Sequence, residues 1–240
     1  MALGVIFFMT KMIDLLEYLR KYIVFDTLTL ENEINKTRNY SNLVLYRLEK
    51  TGRIHKIEKN KYTLYKDPFL LASRIIWPSY ISGWAAFKYY NLTEQIPHDI
   101  SVITTRSKRN LRFNNIKIVF KKIKGKNFFG YEKIKYNNFE IFIANPEKAI
   151  IDSALLKMSS FSEIIEIFFN NKLKIVKLLK YLKKTKNKSL IKRFGYLLEL
   201  KGKDHYQELK KFVDTTYVPL DYSKKKTGKR NEKWRLIINA

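Results

Sequence analysis

Asn42, Tyr46, Arg47 and Lys50 lie at i, i+4 and i+3 spacings in "SNLVLYRLEKTGRIHKIEKNKYTLY", residues 41 to 65. On a helix, such spacings put the four side chains on one face. That face offers an amide, a phenol and two cations but no acid, which suits reading nucleic-acid edges better than making or breaking bonds. Asn can pair bidentately with adenine and Arg with guanine. Lys56, Lys59 and Lys61, further along, suit backbone phosphates, which position a protein without specifying sequence. The candidate contact set also takes in Arg38, Asn39, Tyr40 and Ser41 ahead of these residues and Arg53 after them.

These side chains need a scaffold, and the flanking sequence supplies one. Ser41 is an N-cap candidate for the helix, Val44, Leu45 and Leu48 are its core side, and Gly52 stands where a left-handed residue ends a helix. "RIHKI" and "KYTLY" read as two short strands around "EKNK". Upstream, Ile13, Leu15, Leu16 and Leu19 are helically spaced, and Thr29 is positioned to cap a second short helix carrying Leu30 and Ile34. Helix, helix, turn, helix, hairpin is the order of a winged helix-turn-helix, expected over residues 11–66, whose third helix enters the major groove while the wing meets the backbone. Such modules also dock proteins. Charge polarity favours DNA: residues 1–35 carry three Lys/Arg and five acids, whereas residues 36–66 carry nine and two.

The whole chain of 240 residues has a formal charge of +26, which favours polyanions through counterion release. Lys, Ile, Asn, Tyr and Phe are all abundant, as in proteins from AT-rich genomes, so the total is less informative than its distribution. The chain has no cysteine and three scattered histidines, which excludes a disulfide framework and leaves no zinc-ligand spacing. No cofactor or metal is expected. The apolar run Leu3 to Met9 is too short to span a bilayer, and a cytoplasmic protein without membrane attachment is expected. Residues 1–10 read as extra sequence or a docking strand.

Residues 67–78 read as a connecting helix and residues 79–240 as a second, α+β domain with a small sheet and a helical C-terminal part. Its expected elements are a helix over "SYISGWAAFKYYNLTEQIP", strands at "ISVITT", "IKIVFKKI" and "FEIFIA", a helix capped by Asn145 and started by Pro146, and a last strand "WRLIIN". Arg106, Lys108 and Arg109 form a candidate second phosphate-contacting loop. Residues 172–193 combine ten Lys/Arg with the apolar stripe Leu173, Val176, Leu179 and Leu182, fitting a DNA-flanking helix or an acidic partner. "SKKKTGKR", Ser223 to Arg230, reads as a mobile basic loop. Glu147 and Asp152, five apart, have cap and surface roles as their default.

The succession of an N-terminal winged helix, "YISGWAAFKYYNLTEQIP", "SVITTRSKR", "FFGYEKI", "ANPEKAIIDSAL" and "KWRLIIN" resembles the AbiEi family of antitoxins and transcriptional regulators in phage-defence systems. The resemblance covers nearly the whole chain. It implies a repressor that binds repeats in its own promoter; the expected partner is accordingly double-stranded DNA, with a homodimer on it as a further expectation. It further implies a second domain with antitoxin activity against a co-encoded nucleotidyltransferase-like toxin, and no catalysis. The matched family positions are Ser82, Gly83, Ala86, Pro97, Thr104, Thr105, Arg106, Pro146, Glu147, Lys148, Ala149 and Asp152. Two alternatives remain at this stage. One is a protein-interaction module with secondary DNA binding. The other is a divergent nucleotidyltransferase, suggested by the glycine-containing turn before Asp99; Ser101 then stands where a second carboxylate is wanted, and Glu140 is a distant substitute.

Overall fold

The computed structural model of the protein describes residues 12–239 and is a mixed α+β structure. Residues 1–10, including the apolar run, lie outside the described residues.

The N-terminal part consists of a helix over residues 12–19 (α1), α2 (Thr27–Ile34), α3 (Arg38–Lys50), and an antiparallel pair, β1 (His55–Glu58) and β2 (Lys61–Thr63). Leu15, Leu19, Phe25, Leu30, Leu45, Leu48 and Ile54 form a buried core of their own. Ile13 is 59% exposed, so only part of the expected α1 stripe faces inward. Helix α2 is capped by Asp26, one turn before the expected cap: its carboxylate accepts from the Thr29 amide, and Thr29 is the third helical residue. Helix α3 likewise starts before the expected Ser41 cap. Ser41 is buried inside it, its hydroxyl donating to the Thr37 carbonyl one turn back. The end of α3 follows the sequence. Gly52 takes φ +68°, and the amides of Gly52 and Arg53 return to the carbonyls of Glu49 and Leu48 at 2.9 Å, a Schellman closure that a side chain at Gly52 would strain.

The second part centres on a six-stranded sheet in the order β5-β6-β4-β3-β8-β7. Its strands are β3 (Ser79–Ser82), β4 (Asp99–Thr104), β5 (Leu111–Phe113), β6 (Ile116–Lys122), β7 (Tyr131–Tyr136) and β8 (Phe139–Ala144). In the middle, Ile81 of β3 pairs antiparallel with Val102 and parallel with Ile143. The expected connecting helix is confined to α4 (Pro68–Ala72), capped by Asp67, and the expected 79–97 helix divides into β3 and a short α5 (Trp84–Tyr89). Gly83 joins them at φ +65°. A methyl there would also stand 3.2 Å from Met158.

Helix α6 (Pro146–Leu155) opens as read, with Asn145 accepting from the Lys148 amide. Around it pack α5, α7 (Phe161–Asn170), α8 (Ile175–Thr185) and α9 (Lys188–Leu200). Residues 172–193 are therefore two elements, not one stripe: Leu178, Leu179 and Leu182 are buried while Val176 is 83% exposed. The chain continues through α10 (Tyr206–Leu209) to a small sheet of β9 (Val218–Pro219), β10 (Lys229–Asn231) and β11 (Leu236–Ile238). The expected last strand is β11, and Trp234 just before it is fully buried.

Candidate nucleic-acid interface

Helix α3 buries Ser41, Leu45 and Leu48 and leaves Arg38, Asn39, Tyr40, Asn42, Leu43, Tyr46, Arg47 and Lys50 exposed. Three heptad-like inward positions thus orient the amide, the phenols and the cations together towards solvent. Leu43, Tyr40 and Tyr46 are 43%, 44% and 59% exposed. Leu43 was missed by a reading confined to polar groups, yet an apolar side chain on such a face suits a thymine methyl. Arg38 lies 4.0 Å from Glu31 in an exposed pair of little energetic consequence.

The β1–β2 turn is fixed beside this face. Asn60 takes φ +58°, and its side-chain oxygen accepts from both the amide and the hydroxyl of Thr27, at the start of α2. The same hydroxyl stands 3.3 Å from the side-chain oxygen of Asn42 on α3. Phe25 and Tyr62 exchange backbone hydrogen bonds of 3.0 and 2.9 Å. The hairpin tip and the start of α2 are therefore hydrogen-bonded together, and Asn42 on the first half of α3 sits against the same Thr27 hydroxyl. Lys59 and Lys56 are exposed on the hairpin, and Arg53 is exposed just before it.

Two expected phosphate ligands are committed elsewhere. Lys61 donates to the Ile75 carbonyl and pairs with Glu58 at 3.0 Å. Lys108 pairs with the other Glu58 oxygen at 2.6 Å with only 14% of its side chain exposed. Burial pushes the Glu58 carboxyl up, but Lys108 and Lys61 outweigh it and hold the group below its ordinary value. These cations anchor the hairpin to the second part of the molecule. Arg106 and Arg109, neighbours of Lys108, remain exposed. Sequence spacing gave no signal of this pairing, because Glu58 and Lys108 are 50 residues apart.

Several motif positions of the second part, Ser82, Lys148 and Asp152 among them, meet in the interior, whereas Arg106 is exposed and Pro97, Thr105 and Pro146 are half-buried. Asp152 accepts from Tyr80 and Ser82 at 3.0 Å each and pairs with Lys148, all four side chains being buried. Burial pulls Lys148 below its ordinary value and pushes Asp152 and Tyr80 above theirs. The Lys148 ammonium lies 4.9 Å from the Phe129 ring. Asp152 is thus no surface residue. Neither is Glu147, whose carboxylate accepts from the Lys174 amide at the start of α8 at 2.8 Å. Ala86 and Thr104 are buried too, Thr104 donating to the Pro78 carbonyl at 2.8 Å. This network ties β3 to α6, and its burial keeps solutes away from the lysine and the carboxylate.

Asp99 and Glu140 do not converge. Each lies three residues before the rung shared with Ile81, on strands of opposite direction, so they are separated by about 20 Å along the sheet. Among the described residues no group of three His, Asp or Glu could hold a metal ion. No described helix is long and apolar enough to cross a membrane.

No family model matches the chain. A search of curated proteins finds a similarity to Protein Ycf2 of Physcomitrium patens, 27% identical over 190 residues, or 70% of this chain. The chain spans about 8% of that protein's length.

Proposed function

We propose that residues 12–66 are a winged helix-turn-helix and that the protein is a sequence-specific DNA-binding repressor of the AbiEi type, acting on repeats in its own promoter. The observation that carries this reading is the acid-free exposed face of α3, coupled through Thr27 to the turn that bears Lys59. Asn42 and Arg47 would read base edges, with Tyr46 and Leu43 filling the groove. Arg53, Lys56 and Lys59 would fix the register on phosphates. Occlusion of the promoter then needs no chemistry, and no catalytic role is assigned to any residue. Lys61 and Lys108 are left out of the contact set because Glu58 holds them.

The test is binding to the protein's upstream DNA against scrambled DNA of equal length at fixed physiological salt. A specific repressor prefers its own site by about three orders of magnitude or more. Equal affinities would mean that charge alone is acting, and would sink the proposal.

An antitoxin role for the second part is a second reading, favoured by a groove of about 590 Å³ lined by Trp84, Ile96, Pro97, Met158 and Glu163. Ile96 is 79% exposed there, an apolar contact for a protein partner. Co-purification with the product of a neighbouring toxin gene, lost on Ile96→Asp, tests it. Magnesium-dependent nucleotide incorporation abolished by Asp99→Ala would overturn the non-catalytic assignment.

A further inference from the structure

A recess of about 330 Å³ lies where the end of α6, the start of α9 and the segment around Pro219 and Tyr222 meet. Among its lining side chains Lys157, Arg193 and Lys226 are cations, and none is a carboxylate. Arg193 is only 7% exposed. Its Nε donates to the carbonyls of Pro219 and Leu220 at 3.0 Å each. Among the described residues its two terminal nitrogens have no hydrogen-bond partner and its guanidinium forms no ion pair. Asp221 is near, but its carboxylate is engaged by Ser162 at 2.9 Å and by Ser223. The fully buried side-chain atoms without a partner among the described residues are Asn127 Oδ1, Ser153 Oγ and Ser159 Oγ, so the Arg193 fork opens onto the recess, where an oxyanion could engage it bidentately.

The surroundings favour such a guest. The guanidinium carbon lies 5.6 Å from the Phe161 ring and 5.4 Å from that of Tyr222, and Lys157 stands 5.5 Å from the same Tyr222 ring. The electron-rich faces help two like charges to sit close together. Asn187 caps α9 by accepting from the Leu190 amide at 3.0 Å. The amides of the first turn, Lys188 and Ser189, have no intrahelical acceptor and carry the positive end of the helix dipole. Burial also draws the guanidinium below its ordinary value, against the opposing pull of Tyr222 and Asp221.

We propose that this recess binds the phosphate or diphosphate end of a small phosphorylated ligand. Arg193 forks onto it from the floor, Lys157 and Lys226 close on it from the exposed rim, and the start of α9 faces it. Three cations match a dianion or trianion, and the volume is at the small end of ligand pockets, larger than one phosphate needs. A phosphodiester on a stiff duplex cannot reach a guanidinium so deeply set, whereas a terminal phosphate can. The site is separate from the α3 face.

Calorimetric titration of the whole 240-residue chain with inorganic phosphate, pyrophosphate and adenosine 5′-monophosphate at constant ionic strength tests the assignment. Saturable one-to-one binding of pyrophosphate or the nucleotide is expected, weakened about tenfold or more in the Lys157→Gln/Lys226→Gln double variant. Both substituted residues are exposed, so the unfolding midpoint should not change. Arg193→Lys, which keeps the charge but removes the fork, should also lose binding. No saturable binding up to about 10 mM, or binding indifferent to the double variant, would overturn the proposal. So would a double variant that lost affinity for duplex DNA but not for pyrophosphate, since the phosphate would then be the nucleic acid's.

Discussion

At the scale of single residues, exposure separates the groups that can meet a ligand from those already satisfied. Arg47 and Asn42 are exposed on α3; among the described residues the Arg47 side chain has no hydrogen-bond or ion-pair partner, and the Asn42 side chain is met only by the Thr27 hydroxyl. Arg47→Ala should therefore cost about 1–3 kcal/mol of specific DNA affinity with little change in stability, read by titration against cognate and mutated sites. Lys59→Ala should weaken all sequences alike and reduce the slope of log affinity against log salt by about one. The interior behaves oppositely. Asp152→Ala leaves Lys148 buried and unpaired and should destabilise by about 3–5 kcal/mol in denaturant unfolding, recovered only in part by Lys148→Met/Asp152→Leu, which still leaves the buried Tyr80 and Ser82 hydroxyls without an acceptor. The exposed α3 set was legible in the sequence because one helix supplies both its spacing and its partners. Lys108 was not, since the acid that claims it, Glu58, is 50 residues away, and Lys61 is claimed by the same acid across its own hairpin, a pairing that only the strand register reveals.

At the scale of elements, some local capping signals held while others, the expected Thr29 and Ser41 caps, lie inside their helices, and the strand reading failed where the sheet decides. Asn145 with Pro146, and Gly52 with its left-handed turn, are local devices and lie where the sequence puts them. Ser79–Ser82 lacks the alternation of a half-buried strand because all four residues are buried between two neighbours. Small residues downstream then made it look like the start of a helix. Helix α9 offers an element-level test. Gly195 faces the Trp234 ring so closely that an added methyl would overlap it. Gly195→Ala should raise helix propensity yet destabilise the protein by about 1–3 kcal/mol, as strain of overpacking exceeds that gain. A thermal melt that rises instead would show that Trp234 can move aside.

At the scale of the whole molecule, the two cores are docked rather than strung together. Ile23 and Ile57 come from the N-terminal elements but pack in the larger core, the Tyr65 ring packs edge-on against that of Phe139 at 5.0 Å, and Asn114 donates to the Lys66 carbonyl at 2.6 Å. Glu58 is the titratable member of this dock. Its folded value lies below the ordinary 4.5, so its contribution is full above that pH and is lost as pH falls through the lower folded value. Amide exchange in β1 and β2, followed from about pH 6 down to about pH 3.5 with the intrinsic rate divided out, should show protection falling at the acid end. Glu58→Gln should flatten that dependence. The central rung of Ile81 with Val102 and Ile143 also sets a timetable. One of its partners lies 62 residues further along the chain, whereas α1 to α3 close their core within about forty residues of one another. During synthesis or refolding the proposed reading head can be complete while the six-stranded sheet still waits for β8. Pulse-labelled exchange should find α1 to α3 protected before β4, and simultaneous protection of the two would remove that order.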